Sequence, residues 1–273
     1  MTGGLTVAQT STHSHRELEL LDALRRLGGS ARGAELAKAL DVSEETVRRT
    51  IKSLSKSGAV ERVHGGAYLA GTQGDPSFFR RISRHSDEKQ AIAAGVADQV
   101  HDGMTLFLDV GTTTAFVAEE LRQRSGLTVA TNSIGVAQAL VNHNGNKVHL
   151  LGGEMQGDER GTFGFVTERQ ARRFAFDMAI LSVDALSAKR GFLYLNETEA
   201  NLAGVIADSA ESVLMAVDHH KFSETAPYQG PEPRQVDMVV TDQPPGAKLA
   251  TALLDWGIVT HLSSGADSDA DHD

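Results

Sequence analysis

The sequence predicts an α/β protein with two domains, a winged helix-turn-helix followed by a doubly wound sheet. Two patterns support this fold class. Three short amphipathic segments and a glycine-centred ribbon fill the first 70 residues, and short apolar runs alternate with helical segments beyond about residue 87. The charge divides in the same way, because residues 1–70 carry ten basic and eight acidic residues whereas the rest carry 16 and 28. We therefore expect two modules of different character.

The first module is predicted from helix signals. Leu20, Leu21, Leu24 and Leu27 share one face of a first helix, and residues 34–40 form a second. Ser43 is the expected N-cap of a third helix, whose buried stripe is Val47, Ile51 and Leu54. Residues 59–64 and 67–69 flank a Gly-Gly turn and predict a two-stranded wing.

The polar face of the third helix is basic, and we place Thr50 on it as well. In a helix-turn-helix such a face enters the major groove, while neighbouring groups hold phosphates. On the three helices alone, a solvated face with chance basic residues explains the pattern equally well. The wing favours DNA binding. The predicted DNA-binding residues are Ser43, Thr46, Arg48, Arg49, Lys52, Arg62 and His64.

The second module is predicted from short, nearly continuous apolar runs, which are typical of a parallel sheet covered on both faces. These runs are residues 104–108, 127–130, 148–151, 178–181, 213–217 and 238–240. Changes in composition then predict five segments. They are a disordered arm (1–14), the first domain (15–70), a linker (71–86), the second domain (87–262) and an acidic disordered tail (263–273).

The first run of the second module leads into a Gly/Thr turn, residues 111–114, and then a helix. Backbone N–H groups and hydroxyls at such a helix N-terminus suit a phosphate, although ordinary helix caps would give the same residues. Small or polar residues also follow two other runs, at 131–133 and 152–154. Ligands bind outside the carboxyl ends of strands in open α/β sheets, so these turns are candidate ligand contacts.

The composition excludes several kinds of protein. The chain has 273 residues and no cysteine, with 40% hydrophobic and 23% charged residues, which is typical of a folded globular protein. The lack of cysteine excludes disulfides, thiolate zinc sites and a cysteine nucleophile. No apolar stretch approaches the roughly 18 to 20 residues of a membrane span, and the start is unlike a signal peptide. We expect a cytoplasmic protein with no membrane partner.

Two sets of motifs, which follow each other along the chain in the expected order, resemble one protein family. Residues 42–49, followed by Leu54, Gly58 and residues 62–67, resemble the N-terminal domain of the DeoR family of bacterial transcriptional regulators. Its effector domain is similar to a second set, namely residues 87–93 and 102–114, Asp184, Gly191, Glu199, Ala200 and residues 218–222. The resemblance covers residues 15–260. Thr50 and His220 depart from the family pattern, which has Asp and Ser there, whereas Lys221 is retained.

The resemblance implies a sugar-metabolism repressor with a domain similar in fold to ribose-5-phosphate isomerase. Its partners would be operator DNA, a phosphorylated sugar and further copies of the chain, in a homodimer or higher homo-oligomer. Asp109 would accept hydrogen bonds from sugar hydroxyls, the Gly/Thr loop would donate to phosphate, and Lys221 would neutralise its charge. The expected effector-binding residues are Asp109, Gly111, Thr112, Thr113, Thr114, Asn132, Gly152, Gly153 and Lys221. Whether the ligand acts as inducer or corepressor is left open.

Two rival functions are considered. A sugar-phosphate isomerase-like enzyme with a DNA-binding appendage could use Asp184, Glu197 or Glu199 as its base. Residues 184–191 lack the carboxylate-rich and glycine-rich runs of such isomerases, so we expect no enzyme, no catalytic residue and no cofactor. A ligand-binding protein that has lost DNA affinity is the second rival, prompted by Thr50 and the net charge of −10. The eleven histidines form no HExxH pair, so no metal site is expected.

Overall fold

The computed structural model describes residues 14–26, 30–63, 66–69, 81–82, 84–157 and 159–263. The chain divides into two compact units between Ser83 and Arg84, inside the predicted linker. Of the predicted arm and tail, only Ser14 and Ser263 are described. Ser14 Oγ accepts from Glu17 N at the start of a helix, and Ser263 is buried against Thr241, so both belong to the folded units. None of the helices in this described part combines the length and apolarity needed to cross a bilayer.

The first unit is three helices and a small antiparallel sheet of order β1-β3-β2. Its elements are α1 His15–Arg26, β1 Ser30–Arg32, α2 Gly33–Leu40, α3 Glu44–Lys56, β2 Val60–Val63 and β3 Gly66–Leu69. The predicted apolar stripes of the helices meet in one core with the wing. That core includes Leu20, Leu24, Leu36, Val47, Leu54 and Val60, which are at most 1% exposed. Burial of this shared face holds the helices together.

Strand β1 was not predicted, because its three residues, Ser-Ala-Arg, have no apolar alternation. Strand β1 pairs with β3, and this pairing explains why position 66, the second glycine of the wing turn, is occupied by glycine. A Cβ atom on Gly66 would lie only 2.3 Å from the carbonyl oxygen of Ala31. Glycine at this position therefore permits the third strand of the sheet.

The second unit is built on a seven-stranded parallel sheet of order β15-β14-β12-β9-β4-β5-β6. Its strands are β4 Thr105–Leu108, β5 Thr128–Thr131, β6 Lys147–Leu150, β9 Phe176–Leu181, β12 Ala210–Ala216, β14 Met238–Thr241 and β15 Val259–Leu262. Its helices are α4 Ser86–Ala97, α5 Thr112–Glu120, α6 Ile134–Leu140, α7 Phe165–Ala171, α8 Glu197–Ala207 and α9 Ala247–Asp255. Helix α4 begins at Ser86, one residue before the predicted start of the second domain.

Helices cover both faces of this sheet, as predicted for a doubly wound fold. Alternate strand residues point to opposite sides, so Phe107 packs with α8 and α9, whereas Leu106 and Leu108 pack with α4, α5 and α6. The chain proceeds from β4 outward through β5 and β6, and then from β9 outward in the other direction. The strand order therefore reverses between β4 and β9, which in open α/β sheets is the position where ligands generally bind.

The six predicted runs correspond to six of the seven strands, and the seventh was missed. Strand β15 is an edge strand whose sequence, Val-Thr-His-Leu, mixes polar and apolar residues on an exposed surface. Short antiparallel pieces outside the main sheet were also missed. They are β7 Glu154–Gln156, β8 Gly161–Phe163, β10 Ala185–Ser187, β11 Gly191–Tyr194 and β13 Tyr228–Gln229. Segments of two to four residues are too short for a hydrophobic period to develop.

Candidate functional site

The first candidate surface is the exposed side of α3. The side chains of Arg48 and Arg49 are 72% and 79% exposed, and Lys52 is also exposed. We call these three residues the basic face. Glu45 lies one turn earlier and pairs with both arginines, at 3.4 Å from Arg48 Nη1 and 3.0 Å from Arg49 Nε. The basic face is thus available to a partner, with its arginines held by one exposed carboxylate.

The start of α3 is capped as predicted. Ser43 Oγ accepts from Thr46 N at 3.2 Å and lies 2.9 Å from Thr46 Oγ1. The prediction that Thr50 lies on the exposed face of α3 is wrong. This residue is 8% exposed, and its hydroxyl donates to the carbonyl oxygen of Thr46 at 2.9 Å. Its hydroxyl is satisfied within the helix, as is common for threonine.

The wing is described in part. Arg62 is exposed on β2, whereas His64 lies outside the described residues. Residue pairs from Val60 with Leu69 to Val63 with Gly66 set the register of the two wing strands. The wing therefore presents one of its two predicted contact residues on a defined strand.

The second candidate site lies where the strand order of the large sheet reverses. Asp109 follows β4 and Ser182 follows β9, and the two residues join the neighbouring strand ends. Ser182 N donates to Asp109 Oδ2 at 2.7 Å, and Ser182 Oγ lies 3.1 Å from the same oxygen. Asp109 N donates in turn to the carbonyl oxygen of Ile180 at 3.2 Å. We call this region the switch-point site.

The carboxyl group of Asp109 has an unusual protonation equilibrium. It keeps partial contact with solvent, yet protein surrounds most of it. Burial raises its pKa from 3.8 to about 7, against the opposing effect of the hydrogen bonds that it accepts from Ser182. Near neutral pH the group therefore populates both protonation states and can both donate and accept hydrogen bonds.

The turn after β4 approaches Ser182 closely. A Cβ atom on Gly111 would lie 2.4 Å from Ser182 Oγ, so glycine is required for this packing. Thr114 is fully buried, and its hydroxyl donates to the carbonyl oxygens of Asp109 and Gly111. Thr112 is partly exposed and Thr113 is 6% exposed. As at any helix N-terminus, the first backbone N–H groups of α5 have no partner within the helix, an arrangement that suits an anion.

The loop after β5 contains a buried polar residue, Asn132. Asn132 is fully buried, and its Nδ2 donates to the carbonyl oxygen of Thr162 at 3.2 Å. Its Oδ1 is buried and has no hydrogen-bond partner among the described residues. An unpaired buried acceptor costs free energy, so this atom is well suited to accept a hydrogen bond from a ligand.

Gly152 and Gly153 follow β6 and lie against α7. Gly152 N donates to Gln170 Oε1 at 2.8 Å, and Gly152 O accepts from Thr167 Oγ1 at the same distance. Gly153 has a φ of 152°, and a Cβ atom there would lie 2.1 Å from Thr167 Oγ1. The pair therefore docks the loop onto α7.

Lys221 lies in a short 3₁₀ helix, His219–Phe222, that follows β12. Asp218 caps this helix, with Oδ1 accepting from His220 N at 3.2 Å, and is 2% exposed. His219 is held by Asp242, whose Oδ2 lies 2.5 Å from His219 Nδ1. Lys221 is partly exposed on this rigid turn, at the same edge of the sheet as Asp109.

Tyr194 is a residue that sequence reasoning missed. It is 3% exposed, and its hydroxyl has no hydrogen-bond partner among the described residues. Burial raises its pKa well above 10, and the negative charges of Asp109, Glu199 and Asp184 add to the effect. The tyrosine hydroxyl thus lies within the electrostatic reach of Asp109. No local motif marks Tyr194, since it is the last residue of β11, an apolar strand of ordinary composition.

Asp184 and Ser182 illustrate what the sequence does and does not reveal. Both follow β9, yet only Asp184 was singled out, as a possible catalytic base. Asp184 Oδ2 accepts from Leu195 N at 2.8 Å and so braces the start of a loop. The polar position directly after the apolar run 178–181 would have identified Ser182, by the rule that was applied to Asn132.

Comparison with protein families matches both units. A DeoR-like helix-turn-helix domain matches residues 16–73, and the DeoR C terminal sensor domain matches residues 84–243. The HTH-type transcriptional repressor CsqR of Escherichia coli is 34% identical, over 90% of this chain and 93% of the relative. The glycerol-3-phosphate regulon repressor of the same organism is 32% identical, over 84% of this chain and 90% of the relative.

Among solved structures, ribose 5-phosphate isomerase A of Methanocaldococcus jannaschii is similar, with a TM-score of 0.38 and 16% identity over 50% of this chain and 54% of that chain. The curated relatives named above are transcriptional repressors and not enzymes, in agreement with the expectation that this protein has no catalytic role. With both of its units matched in order, the chain belongs to the DeoR family of transcriptional regulators.

Proposed function

We propose that the protein represses a carbohydrate-metabolism operon and that a phosphorylated sugar or related intermediate controls its affinity for operator DNA. The observation that carries this proposal is the presence in one DeoR-family chain of an exposed basic face and a polar switch-point site. One relative is named for glycerol 3-phosphate, which supports a small phosphorylated effector.

The basic face supports major-groove recognition. Arg48 and Arg49 project from the first half of α3, where a recognition helix reaches base edges, and guanidinium groups bind guanine through two hydrogen bonds. Ser43, Thr46, Lys52, Arg62 and His64 complete the proposed surface, with contacts to the phosphate backbone. The first 70 residues carry a charge of only +2, so the affinity for nonspecific DNA is expected to be modest and sensitive to salt.

The switch-point site supports recognition of a phosphorylated, hydroxyl-bearing ligand. The N-terminus of α5 supplies backbone donors to the phosphate at Thr112 and Thr113, and Lys221 supplies a positive charge. Asp109 and Asn132 Oδ1 accept from hydroxyl groups of the ligand. Gly111, Thr114, Gly152 and Gly153 shape the loops around it, since their own atoms are engaged in packing and hydrogen bonds.

Coupling between the two functions requires the ligand to favour a conformation with lower DNA affinity. A coupling free energy of about 1 to 3 kcal/mol changes DNA affinity roughly 5- to 150-fold. Operators of helix-turn-helix proteins contain paired half-sites, so we propose that the protein binds as a homodimer or larger homo-oligomer.

The proposal is tested by fluorescence anisotropy of labelled DNA from the region upstream of the protein's own gene. Titrations at one fixed salt concentration are made with and without glycerol 3-phosphate and a panel of sugar phosphates, and with the unphosphorylated compounds as controls. We expect specific binding that one phosphorylated compound weakens and its unphosphorylated form does not. Specific binding that no compound alters would refute the ligand class, and no specific binding to any genomic fragment would refute the repressor.

A further inference from the structure

A cluster of two histidines and one glutamate lies at the beginning of the second unit. His85 and Glu88 belong to the N-terminal end of α4, and His220 belongs to the 3₁₀ turn after β12. Within the described part of the chain, each of these residues offers one ligand atom within 4.8 Å of the other two. We propose that His85, Glu88 and His220, here called the histidine cluster, bind a divalent transition-metal ion of the zinc class.

The donor atoms suit such an ion. Imidazole nitrogens and carboxylate oxygens bind Zn²⁺ at about 2.0 to 2.2 Å in tetrahedral sites. The shortest gap in the cluster that involves the carboxylate is 3.8 Å, between His85 Nδ1 and Glu88 Oε1. Tetrahedral ligands at about 2.1 Å from an ion are roughly 3.4 Å apart, so the three side chains, whose ligand atoms lie within 4.8 Å of one another, must rotate to close the site. The three side chains are 30% to 40% exposed, which leaves a path for the ion.

The backbone around His85 is fixed before any ion binds. His85 has a left-handed φ of 54°, and its carbonyl oxygen accepts from Lys89 N at 3.1 Å. The ammonium group of Lys89, a residue only 4% exposed, donates to the carbonyl oxygen of Arg84 at 2.6 Å. A left-handed histidine costs conformational energy and persists where its surroundings hold it, as at ligand sites. Little further ordering of the backbone is therefore needed.

The ring of His220 lies against both His85 and Asp218. The ring stacks on that of His85, with centroids 3.5 Å apart and planes inclined by 28°. Its Nδ1 is buried and lies 3.3 Å from Asp218 Oδ1 without hydrogen-bond geometry. To bind one ion, the two rings must turn out of this stack, because the lone pair of each imidazole nitrogen lies in the plane of its ring. Asp218 then provides the second carboxylate that commonly orients a metal-bound histidine.

The site has an open position and a net positive charge when loaded. Two neutral imidazoles and one carboxylate leave a divalent ion with a charge of +1, and three protein ligands leave a fourth position for water or an anion. His220 is also the residue that replaces the serine of the DeoR pattern. The proposal is independent of the DNA and sugar ligands proposed above.

The test uses untagged, full-length protein that has been stripped with a chelator. Zn²⁺ is titrated by isothermal calorimetry into the wild type and into His85→Ala, Glu88→Gln and His220→Ser. The control is His101→Ser, which changes an exposed histidine in the loop before β4. Co²⁺ is a second probe, because its visible absorption strengthens in a four-coordinate site. Circular dichroism verifies that each variant is folded.

We expect one tight Zn²⁺ site per wild-type chain, a tenfold or greater loss of affinity in each cluster variant, and no change in His101→Ser. Co²⁺ should give a four-coordinate spectrum in the wild type and the control only. Equal affinity in all folded variants would show binding by other histidines and overturn the proposal. Absence of a tight site in the wild type would overturn it as well. Neither result bears on operator binding, which is measured separately.

Discussion

The two units build their proposed binding sites in different ways. The basic face of the first unit consists of side chains from one helix, and Arg48 and Arg49 project into solvent. The switch-point site gathers residues from separate strand ends, and several of them, including Thr114 and Asn132, are fully buried. A surface of the first kind depends on residue type at helical spacing, whereas a site of the second kind depends on topology and packing. Substitutions should therefore affect binding alone in the first unit, and binding together with stability in the second.

The largest effect is expected from the double substitution Arg48→Ala and Arg49→Ala. Each guanidinium that reads a base contributes about 1 to 3 kcal/mol, so operator affinity should fall by at least about 30-fold. Since both side chains are exposed, the thermal stability should remain close to that of the wild type. Fluorescence anisotropy and a melting curve measure the two quantities on the same preparation.

The matched control is Arg172→Ala with Arg173→Ala, an adjacent pair that is also exposed but follows α7 in the second unit. It removes the same charge from the chain. If both double variants lose the same affinity, net charge and not the basic face governs binding, and the assignment of α3 as the recognition helix is wrong.

The second prediction concerns Asp109 and separates stability from binding. Its pKa is about 7 in the folded chain and about 3.8 when unfolded, so its neutral form is favoured by the fold. Between these two values the unfolded state releases the proton first, and the free energy of unfolding falls as the pH rises. At pH 8 the folded wild type holds a buried carboxylate, whereas Asp109→Asn does not.

Asp109→Asn should therefore gain stability relative to the wild type as the pH rises from 5 to 8, by about 2 kcal/mol. Urea unfolding of the full chain at both pH values measures the change. Asp255→Asn, at an exposed carboxylate at the end of α9, is the control and should show no such trend. A pH-independent difference between Asp109→Asn and the wild type would contradict the raised pKa.

Sequence reasoning predicted the first unit better than the second for the same physical reason. Ser43 caps α3, and Arg48 and Arg49 follow it in the second turn of the same helix, so spacing alone places them. At the switch point, Asn132 was predicted because polar residues after apolar runs meet at one edge of a parallel sheet, whereas Asp109 was implied by the family resemblance. Tyr194 was missed because it reaches the site from outside that sheet, by a packing relation that no local pattern records.

The local sequence pattern also could not predict which individual polar residues are buried. Thr50 was expected on the exposed face of α3, yet it lies at the edge of the apolar stripe and satisfies its hydroxyl within the helix. Thr114 was expected to donate to phosphate, whereas its hydroxyl faces inward to two carbonyl oxygens. Whether a threonine points inward depends on neighbouring elements, and the sequence does not specify their positions.

The third prediction asks whether Lys221 acts on the ligand alone. Lys221→Ala removes one positive charge from the proposed phosphate site, and a hydrogen bond to a charged group contributes about 1.5 to 3 kcal/mol. The concentration of effector needed to release DNA should rise about tenfold or more, with no change in operator affinity when effector is absent. Lys248→Ala, on the exposed side of α9, is the charge-matched control. Loss of ligand-free DNA binding as well would indicate a structural role for Lys221.

The smallest expected effect has the opposite sign and concerns Glu45. This carboxylate pairs with Arg48 and Arg49 on the exposed surface of α3, where such pairs contribute about 0.2 to 1 kcal/mol. Glu45→Gln should release both arginines and raise operator affinity about two- to threefold. Because salt weakens exposed ion pairs, the gain should shrink as the salt concentration increases.

Glu44→Gln is the control for Glu45→Gln, since it removes the same charge from the same first turn of α3. If both variants gain equally, the effect is general repulsion between carboxylates and phosphates. A gain restricted to Glu45→Gln would mean that this one carboxylate holds the arginines away from DNA. The free protein would then spend part of its recognition energy on breaking its own ion pairs, and the affinity of the basic face could be tuned without altering any residue that contacts DNA.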